Sequence, residues 1–225
     1  MTTPNRGATA VPTKSLENRK LEAEIRKLTL EGDRNEVALL SERRVADHKA
    51  ASADEHKVYT FYDQVSVDSC YQAQHTLAEW SRSDPGCPMT IVLTSPGGSV
   101  TDGLGLYDYL LSLRAQGHHI TIVALGMAAS MGGVLLQAGD RRVIGPNAFL
   151  LIHEASAGTY GKTTDMQEQL AFIGRLQGKC LDILASRATI SRQVIARKWK
   201  KMDWWLDADE AVEGGFADEI LSAGL

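Results

Sequence analysis

Short runs of uncharged, mostly apolar residues recur along this chain from residue 58 onwards. The clearest runs are residues 90–94, 120–124 and 148–152. Runs of about five such residues are typical of strands that are buried on both faces. Segments with helical spacing separate them, and parallel strands joined by helices form right-handed crossovers. The pattern therefore predicts an α/β domain with a parallel sheet.

The segments around these runs extend the prediction. Residues 58–61 read as an opening strand, and the next helix has Val67, Cys70, Leu77 and Trp80 as its inward positions. Helices are predicted over residues 66–82, from the turn at 95–99 through Leu111, from the small residues 126–133 to Ala138, and over 164–186, 191–201 and 210–213, the last ended by a glycine cap.

The first 57 residues differ in amino-acid composition from the rest of the chain. Residues 1–13 contain almost no large apolar side chains and are expected to be a flexible lead. Residues 14–57 hold ten Lys/Arg and ten Asp/Glu, with Leu21, Ile25 and Leu28 on a narrow helical stripe. This pattern predicts a charged helical extension, either solvated or paired with another chain. Residues 58–225 then form the main domain.

Charge and cysteine content exclude several classes of protein. A net charge of −4 provides no global basic surface for nucleic acid or for an anionic membrane, which leaves only a local patch for such binding. No stretch reaches the length of a membrane span, and the N-terminus has no apolar leader segment. Three cysteines without a CxxC pair suggest neither a disulfide framework nor a zinc site. We therefore expect a soluble cytoplasmic protein.

A glycine pair, a serine and a histidine lie at the ends of three successive predicted strands. Gly97 and Gly98 follow the first, Ser130 follows the second among small residues, and His153 ends the third. In open α/β sheets the carboxyl ends of the strands border the reactive crevice. A serine needs a base, and the imidazole that serves as that base needs a carboxylate, for which Asp203 is the candidate. The Gly-Gly turn and the amide after Ser130 could stabilise an oxyanion.

Each feature also has an ordinary structural interpretation. Ser130 could be a helix N-cap, His153 a strand-end histidine, and Gly97-Gly98 a simple turn. The other five histidines lie in charged or turn-like segments. The joint placement at three strand ends favours a hydrolytic site.

Four motifs, in their order along the chain, resemble the Clp protease proteolytic subunit. They are SPGGSV at 95–100, GMAASMG at 126–132, the segment from Pro146-Asn147 to His153, and Asp203 followed by LDADEAVEGG at 206–215. The resemblance covers about residues 58–225.

This resemblance implies a role for each matching position. Ser130 would be the nucleophile, His153 the general base and Asp203 the third member of the triad, while the backbone amides of Gly98 and Met131 would form the oxyanion hole. Substrate-binding positions would be Gly97, Ser99, Gly158, Thr159, Tyr160 and Gly161, the last four within a strand at 155–163 that pairs with the substrate backbone.

The resemblance also implies an architecture and partners. The fold would be a crotonase-like spiral of βαβ units, with the long helix after residue 163 acting as a handle that joins two rings. Seven subunits would form a ring, and two stacked rings would enclose a chamber. Polypeptide substrates would be delivered by a separate AAA+ unfoldase that consumes ATP, and the chain itself would need no cofactor or metal.

Two departures from the family pattern suggest a specialised relative. The first 57 residues are far longer than the axial loops of the family, and Lys200-Lys201-Met202 stands where the family has an arginine that pairs between rings. Trp204 and Trp205 follow the triad aspartate, and a core or interface role is favoured for them over a place in a substrate pocket. One such specialised group is the phage-type capsid maturation proteases, in which the extension could bind a capsid or scaffold protein.

Three other functions remain open from the sequence. The first is a crotonase-type enzyme acting on acyl-CoA, which also uses two backbone amides but relies on carboxylates for proton transfer. The second is a non-catalytic subunit. The third is a Ser-Lys dyad peptidase, for which Lys162 is the nearest lysine after His153.

Overall fold

The computed structural model describes residues 56–154, 162–200 and 203–222, together with four single residues, Lys20, Lys27, Gly32 and Leu39. The chain divides into two units, Met1–Ser52 and Ala53–Leu225. In the first unit the four described residues are helical and exposed. The predicted flexible lead and most of the charged extension lie outside the described residues.

The second unit alternates strands and helices. In chain order they are β1 Val58–Tyr62, α1 Val67–Ser83, β2 Met89–Ser95, α2 Val100–Ala115, β3 Ile120–Ala129, α3 Met131–Leu136, β4 Arg141–Ile144, β5 Phe149–Ile152, α4 Thr163–Ala185, α5 Arg192–Trp199, β6 Trp204–Leu206, α6 Ala208–Glu213 and β7 Glu219–Ile220. The predicted α/β class with parallel βαβ units and a long helix is confirmed.

One sheet contains all these strands. β1, β2, β3, β4 and β7 lie side by side in parallel, and β5 branches from the second half of β3. β6 pairs with β5 and is antiparallel to it. The branch places the end of β3 beside the end of β5, which is where the sequence puts Ser130 and His153.

β2 shows how burial follows the pleat of a strand. Its residues alternate between buried and half-buried, and Met89, Ile91 and Leu93 lie on the buried face. The expectation that residues 90–94 are buried on both faces is therefore wrong for one face. Thr90, Val92 and Thr94 are partly exposed, and the Thr94 hydroxyl donates to the Leu125 carbonyl.

α1 begins with a capping box. The Ser66 side chain accepts from the Ser69 N–H, and the Ser69 side chain accepts from the Ser66 N–H, so two otherwise unpaired donors are satisfied. Cys70, Leu77 and Trp80 are buried as predicted. Val67, the first residue of the helix, is 68% exposed, so its inward placement was wrong.

The strand that contains Gly126 is longer than predicted, because the sequence pattern ends it at residue 124 and the structure ends it at Ala129. β3 continues through Gly126, and Met127, Ala128 and Ala129 pair with β5. The helix that follows, α3, is buried at all six positions. Glycine makes this burial possible, because a Cβ on Gly133 would lie 2.7 Å from Leu150 Cδ1. None of the helices in the described ranges combines the length and the hydropathy of a membrane-spanning helix.

Candidate active site

Ser130 occupies a strained turn between β3 and α3. Its φ of 55° and ψ of −118° lie in a region that L-residues seldom adopt. Its N–H donates to the Leu151 carbonyl at 2.8 Å, which fixes the turn against β5. The side chain makes no capping hydrogen bond, although Ser130 stands at the N-cap position. The hydroxyl is therefore presented by a strained strand-to-helix turn, a geometry also found in the nucleophile elbows of α/β-hydrolases.

The pairing of β5 with β6 brings His153 and Asp203 together. Leu151 pairs with Trp205 and Ile152 with Trp204, so the next pair in this antiparallel register is His153 with Asp203. His153 Nδ1 lies 3.9 Å from Asp203 Oδ1, which is longer than a hydrogen bond. The His153 side chain is 26% exposed and the Asp203 side chain 67%.

Gly97 and Gly98 pack tightly against neighbouring backbone. Gly97 has φ +91°, and a Cβ there would lie 2.6 Å from Ser130 Cβ and 2.8 Å from the Ala129 carbonyl oxygen. Gly98 has φ +147°, and a Cβ there would lie 2.2 Å from the Val65 carbonyl oxygen. Both positions therefore require glycine, and the turn lies directly against the backbone that presents Ser130.

Two backbone amides border this turn. The bridge between Val65 and Gly98 uses the Gly97 carbonyl and the Ser99 N–H, which leaves the Gly98 N–H outside the bridge. Met131 is the first residue of α3, where N–H groups have no acceptor within the helix. The ideal Cβ position of Gly97 lies 3.1 Å from the Met131 nitrogen, so the turn and this amide are in contact.

A cleft opens beside Ser130 and His153. Six of the residues around it are apolar, and its polar lining also includes Gln177 and Cys180. The full lining comprises Val100, Ser130, Met131, Val134, Ile152, His153, Gln177, Cys180, Leu184 and Trp199. The apolar walls suit an apolar side chain of a substrate.

Sequence reasoning missed the wall of this cleft formed by α4 and α5. Gln177, Cys180 and Leu184 come from successive turns of α4, and Trp199 ends α5. The 3- and 4-residue spacing on α4 could have indicated a buried stripe, but not what the stripe faces.

The thiol of Cys180 is not an alternative nucleophile. Burial raises the pKa of Cys180 to about 11, so the protonated form prevails at neutral pH. Cys70, Cys87 and Cys180 are all free and buried.

Several other sequence candidates lie away from the cleft. Ser99 is the N-cap of α2, where its hydroxyl accepts from the Asp102 N–H. Lys162 precedes α4, and neither it nor Trp204 or Trp205 lines the cleft. Gly158, Thr159, Tyr160 and Gly161 fall outside the described residues.

His118 differs from what its surroundings in the sequence suggested. It is 3% exposed, with Nε2 2.8 Å from Ser81 Oγ and Nδ1 2.9 Å from the Cys87 carbonyl oxygen. Both ring nitrogens are thus occupied by structural hydrogen bonds.

Comparison with known proteins places this arrangement in a family. The family model described as Clp protease matches residues 41–224. The ATP-dependent Clp protease proteolytic subunit 2 of Tropheryma whipplei is 38% identical over 139 residues, covering 61% of this chain and 75% of that protein. Proteolytic subunit 1 of Chlamydia muridarum is 33% identical over 165 residues, covering 72% of this chain and 84% of the relative.

A third relative extends the similarity over more of the chain. Proteolytic subunit 1 of Streptomyces avermitilis is 33% identical over 186 residues, covering 80% of this chain and 82% of that protein. The family match contains every strand from β1 to β7, with the turn that carries Ser130 near its centre. The chain therefore belongs to the Clp protease family of serine-type peptidases.

Proposed function

We propose that this protein is a serine endopeptidase that hydrolyses unfolded or delivered polypeptides with Ser130 as nucleophile, His153 as general base and Asp203 as the carboxylate of the triad. The observation that carries the proposal is the strained turn at Ser130, whose uncapped hydroxyl shares one cleft with His153. Strain of about 1–3 kcal/mol at a single residue persists only where the surrounding structure enforces it, and such residues cluster at active sites.

The first half of the reaction forms an acyl-enzyme. The Ser130 oxygen bonds to the carbonyl carbon of the substrate while its proton passes to His153. Because Nδ1 faces Asp203, Nε2 is the ring nitrogen available to Ser130. The C–N bond then breaks, and the amine leaves with the proton from His153. In the second half, water bonds to the acyl carbon while His153 takes its proton. The bond to the Ser130 oxygen then breaks, His153 returns the proton to that oxygen, and the acid is released.

The amides of Gly98 and Met131 would stabilise the negative oxygen of the tetrahedral intermediate. Their support is the contact between the Gly97-Gly98 turn and the start of α3. The loss of one oxyanion donor typically costs about 3 kcal/mol of transition-state stabilisation. No metal or organic cofactor is needed for these steps.

The 3.9 Å between His153 Nδ1 and Asp203 Oδ1 exceeds a hydrogen bond, but an approach of about 1 Å would form one. Catalytic hydrogen bonds often shorten when substrate binds. We expect closure by about 1 Å when substrate binds or when subunits assemble.

Substrate binding would combine the apolar cleft with strand pairing. The cleft would take the apolar side chain before the scissile bond, residues 155–163 would pair with the substrate backbone, and Gly97 and Ser99 would lie beside the bound substrate. Backbone pairing gives affinity with little side-chain selectivity. Broad preference among unfolded polypeptides would follow.

Assembly and partners are proposed from the family. The relatives are named as proteolytic subunits of ATP-dependent proteases, which suggests a separate ATPase for this chain. We propose that crotonase-like spiral subunits form homo-oligomeric rings in the cytoplasm and that α4 joins two such rings, with residues 58–225 as the protease domain. The extension at 14–57 would contact an unfoldase or, in a phage-type capsid maturation protease, a capsid protein.

Labelling and peptide cleavage test the proposal together. Wild-type protein should react with a fluorophosphonate probe and hydrolyse a fluorogenic peptide with an apolar residue before the scissile bond. Ser130→Ala should abolish both, because the bond-forming oxygen is gone. Ser112→Ala is the matched control, since Ser112 is an exposed residue of α2 whose hydroxyl bonds only the Tyr109 carbonyl in the described structure.

Different outcomes identify different failures. Cleavage or labelling that persists in Ser130→Ala would contradict the nucleophile assignment. Thioester hydrolysis that survives in Ser130→Ala would favour the acyl-CoA alternative. A wild-type oligomer that is silent in both assays would favour a non-catalytic subunit.

A further inference from the structure

A buried glutamine ties the far end of α3 to a distant part of the chain. Gln137 is the C-cap of α3 and is only 2% exposed. Its Nε2 donates to the Gly133 carbonyl at 3.1 Å, within α3, and to the Phe216 carbonyl at 3.0 Å. One side chain therefore connects the helix that begins beside Ser130 to the segment that follows α6.

A buried arginine holds this glutamine in place. Arg142 is 3% exposed, and its Nη1 donates to Gln137 Oε1 at 2.5 Å and to the Gly215 carbonyl at 2.8 Å. Its Nη2 lies 2.6 Å from Asp218 Oδ1, which neutralises the guanidinium. Buried polar groups are held firmly when each has its partners, so the Gln137 amide has one defined orientation.

The connection continues from Phe216 towards the triad carboxylate. Phe216 is fully buried, and its ring meets the Trp204 ring edge-on with centroids 5.7 Å apart and planes at 84°. Trp204 is the first residue of β6 and follows Asp203 directly. A continuous path of contacts thus runs from α3 through Gln137, Phe216 and Trp204 to Asp203.

We infer that Gln137 is a positioning residue for catalysis, which sets the place of the Asp203 carboxylate relative to the helix that presents Ser130. This inference rests on the proposed triad function. Gln137 touches neither substrate nor reacting atoms. Its hydrogen bond to the Phe216 carbonyl fixes the segment after α6, and the contact between the Phe216 and Trp204 rings fixes the start of β6, which Asp203 directly precedes.

A double-mutant cycle separates this role from a general structural one. Gln137→Met keeps a side chain of similar length but removes all three hydrogen bonds. We expect kcat to fall roughly 10- to 100-fold with KM unchanged, since a displacement of about 1 Å at a reacting group costs on the order of 100-fold. In an Asp203→Asn background the same change should reduce kcat no further, because the group through which it acts is already disabled.

Gln116→Met is the matched control. Gln116 is the C-cap of α2, and its Nε2 donates to the carbonyl four residues earlier, Ser112, as Gln137 does to Gly133. Gln116 lies at an exposed site, so the control should keep wild-type kcat. Thermal unfolding of each variant identifies any that fail to fold.

A second pair of variants tests the aromatic step without altering the buried polar network. Trp204→Leu should reproduce the fall in kcat, and Trp204→Phe, which retains an aromatic edge contact with Phe216, should restore most of it. This pair keeps the inference testable if Gln137→Met does not fold.

The outcomes distinguish the inference from the function on which it rests. Equal fractional losses of kcat from Gln137→Met with and without Asp203→Asn would overturn the positioning role while leaving the peptidase intact. Unchanged kcat in folded Gln137→Met would do the same, as would unchanged kcat in Trp204→Leu. Absence of Ser130-dependent cleavage in wild-type protein would instead remove the proposed function and this inference with it.

Discussion

Replacing Gly97 with alanine probes the contact between the glycine turn and the nucleophile. The new Cβ would lie 2.6 Å from Ser130 Cβ, 2.8 Å from the Ala129 carbonyl oxygen and 3.1 Å from the Met131 nitrogen. Two of these neighbours are backbone atoms, which cannot rotate away as a flexible side chain can. Relief requires the turn and the start of α3 to move apart.

The expected loss of stability has two parts. An L-residue at φ +91° costs about 1–2 kcal/mol relative to glycine. Overpacking against a fixed neighbour adds about 1–3 kcal/mol. We therefore expect Gly97→Ala to lower the free energy of unfolding by about 2–5 kcal/mol. The same displacement moves Ser130 and the proposed oxyanion amides, so kcat should fall on the order of 100-fold in protein that remains folded.

Gly105→Ala is the matched control for this change. Gly105 lies within α2, has an ordinary φ, and a Cβ there meets no atom within 4 Å. Alanine at such a helical position should raise the free energy of unfolding by about 0.5–1 kcal/mol and leave kcat unchanged. Urea unfolding and peptide cleavage on both variants give the comparison. If Gly97→Ala matches wild type in stability and kcat, the tight packing deduced for this turn is wrong.

Two further predictions concern titrating groups. Burial raises the pKa of all three cysteine thiols, that of Cys180 to about 11, so native protein at pH 8 should react only slowly with an aromatic disulfide reagent. Protein unfolded in guanidinium should react at three thiols per chain. A thiol that reacts quickly in native protein would contradict this burial. Burial opposes the charged form of Asp218, but hydrogen bonds and charge from Arg142, with the charge of Arg187, lower its pKa. Its stabilising contribution is therefore complete above the ordinary carboxyl pKa and is lost as pH falls through the lowered value. Asp218→Asn should cost about 2 kcal/mol of unfolding free energy at pH 7, and the gap to wild type should narrow in acid; a constant gap in urea titrations would refute this.

Local patterns predicted most of the large elements. β2, β3 and β5 were predicted from uncharged runs, and α1, α2 and α4 from helical spacing, because burial on one side selects apolar residues at the period of the element. β4 was missed because it begins with Arg141 and Arg142, which do not resemble an interior strand. Arg142 is buried because Asp218, 76 residues later, neutralises it, and no local window contains that information.

In the candidate site, too, the residues at strand ends could be predicted from local patterns and the residues contributed by helix packing could not. Ser130, His153 and the Gly97-Gly98 turn were expected together because the ends of neighbouring parallel strands meet at one edge of a sheet. The positions of Trp199 and Cys180 beside Ser130 depend instead on how α4 and α5 pack over that edge. Helical spacing predicts which face is buried, but the partner of that face is a property of the whole fold.

The strands that adjoin the proposed nucleophile and its carboxylate, β3 and β6, differ in the number of strands that pair with them. β3 shares ladders with β2, β4 and β5, whereas within the described ranges the three residues of β6 pair with β5 alone. Local opening begins where few ladder bonds must break, so backbone amides of β6 should take up deuterium well before those of β3. A binding protein or small molecule that separated β6 from β5 would move Asp203 and stop catalysis while the rest of the sheet stayed folded. Dissociation of that ligand would restore activity without refolding.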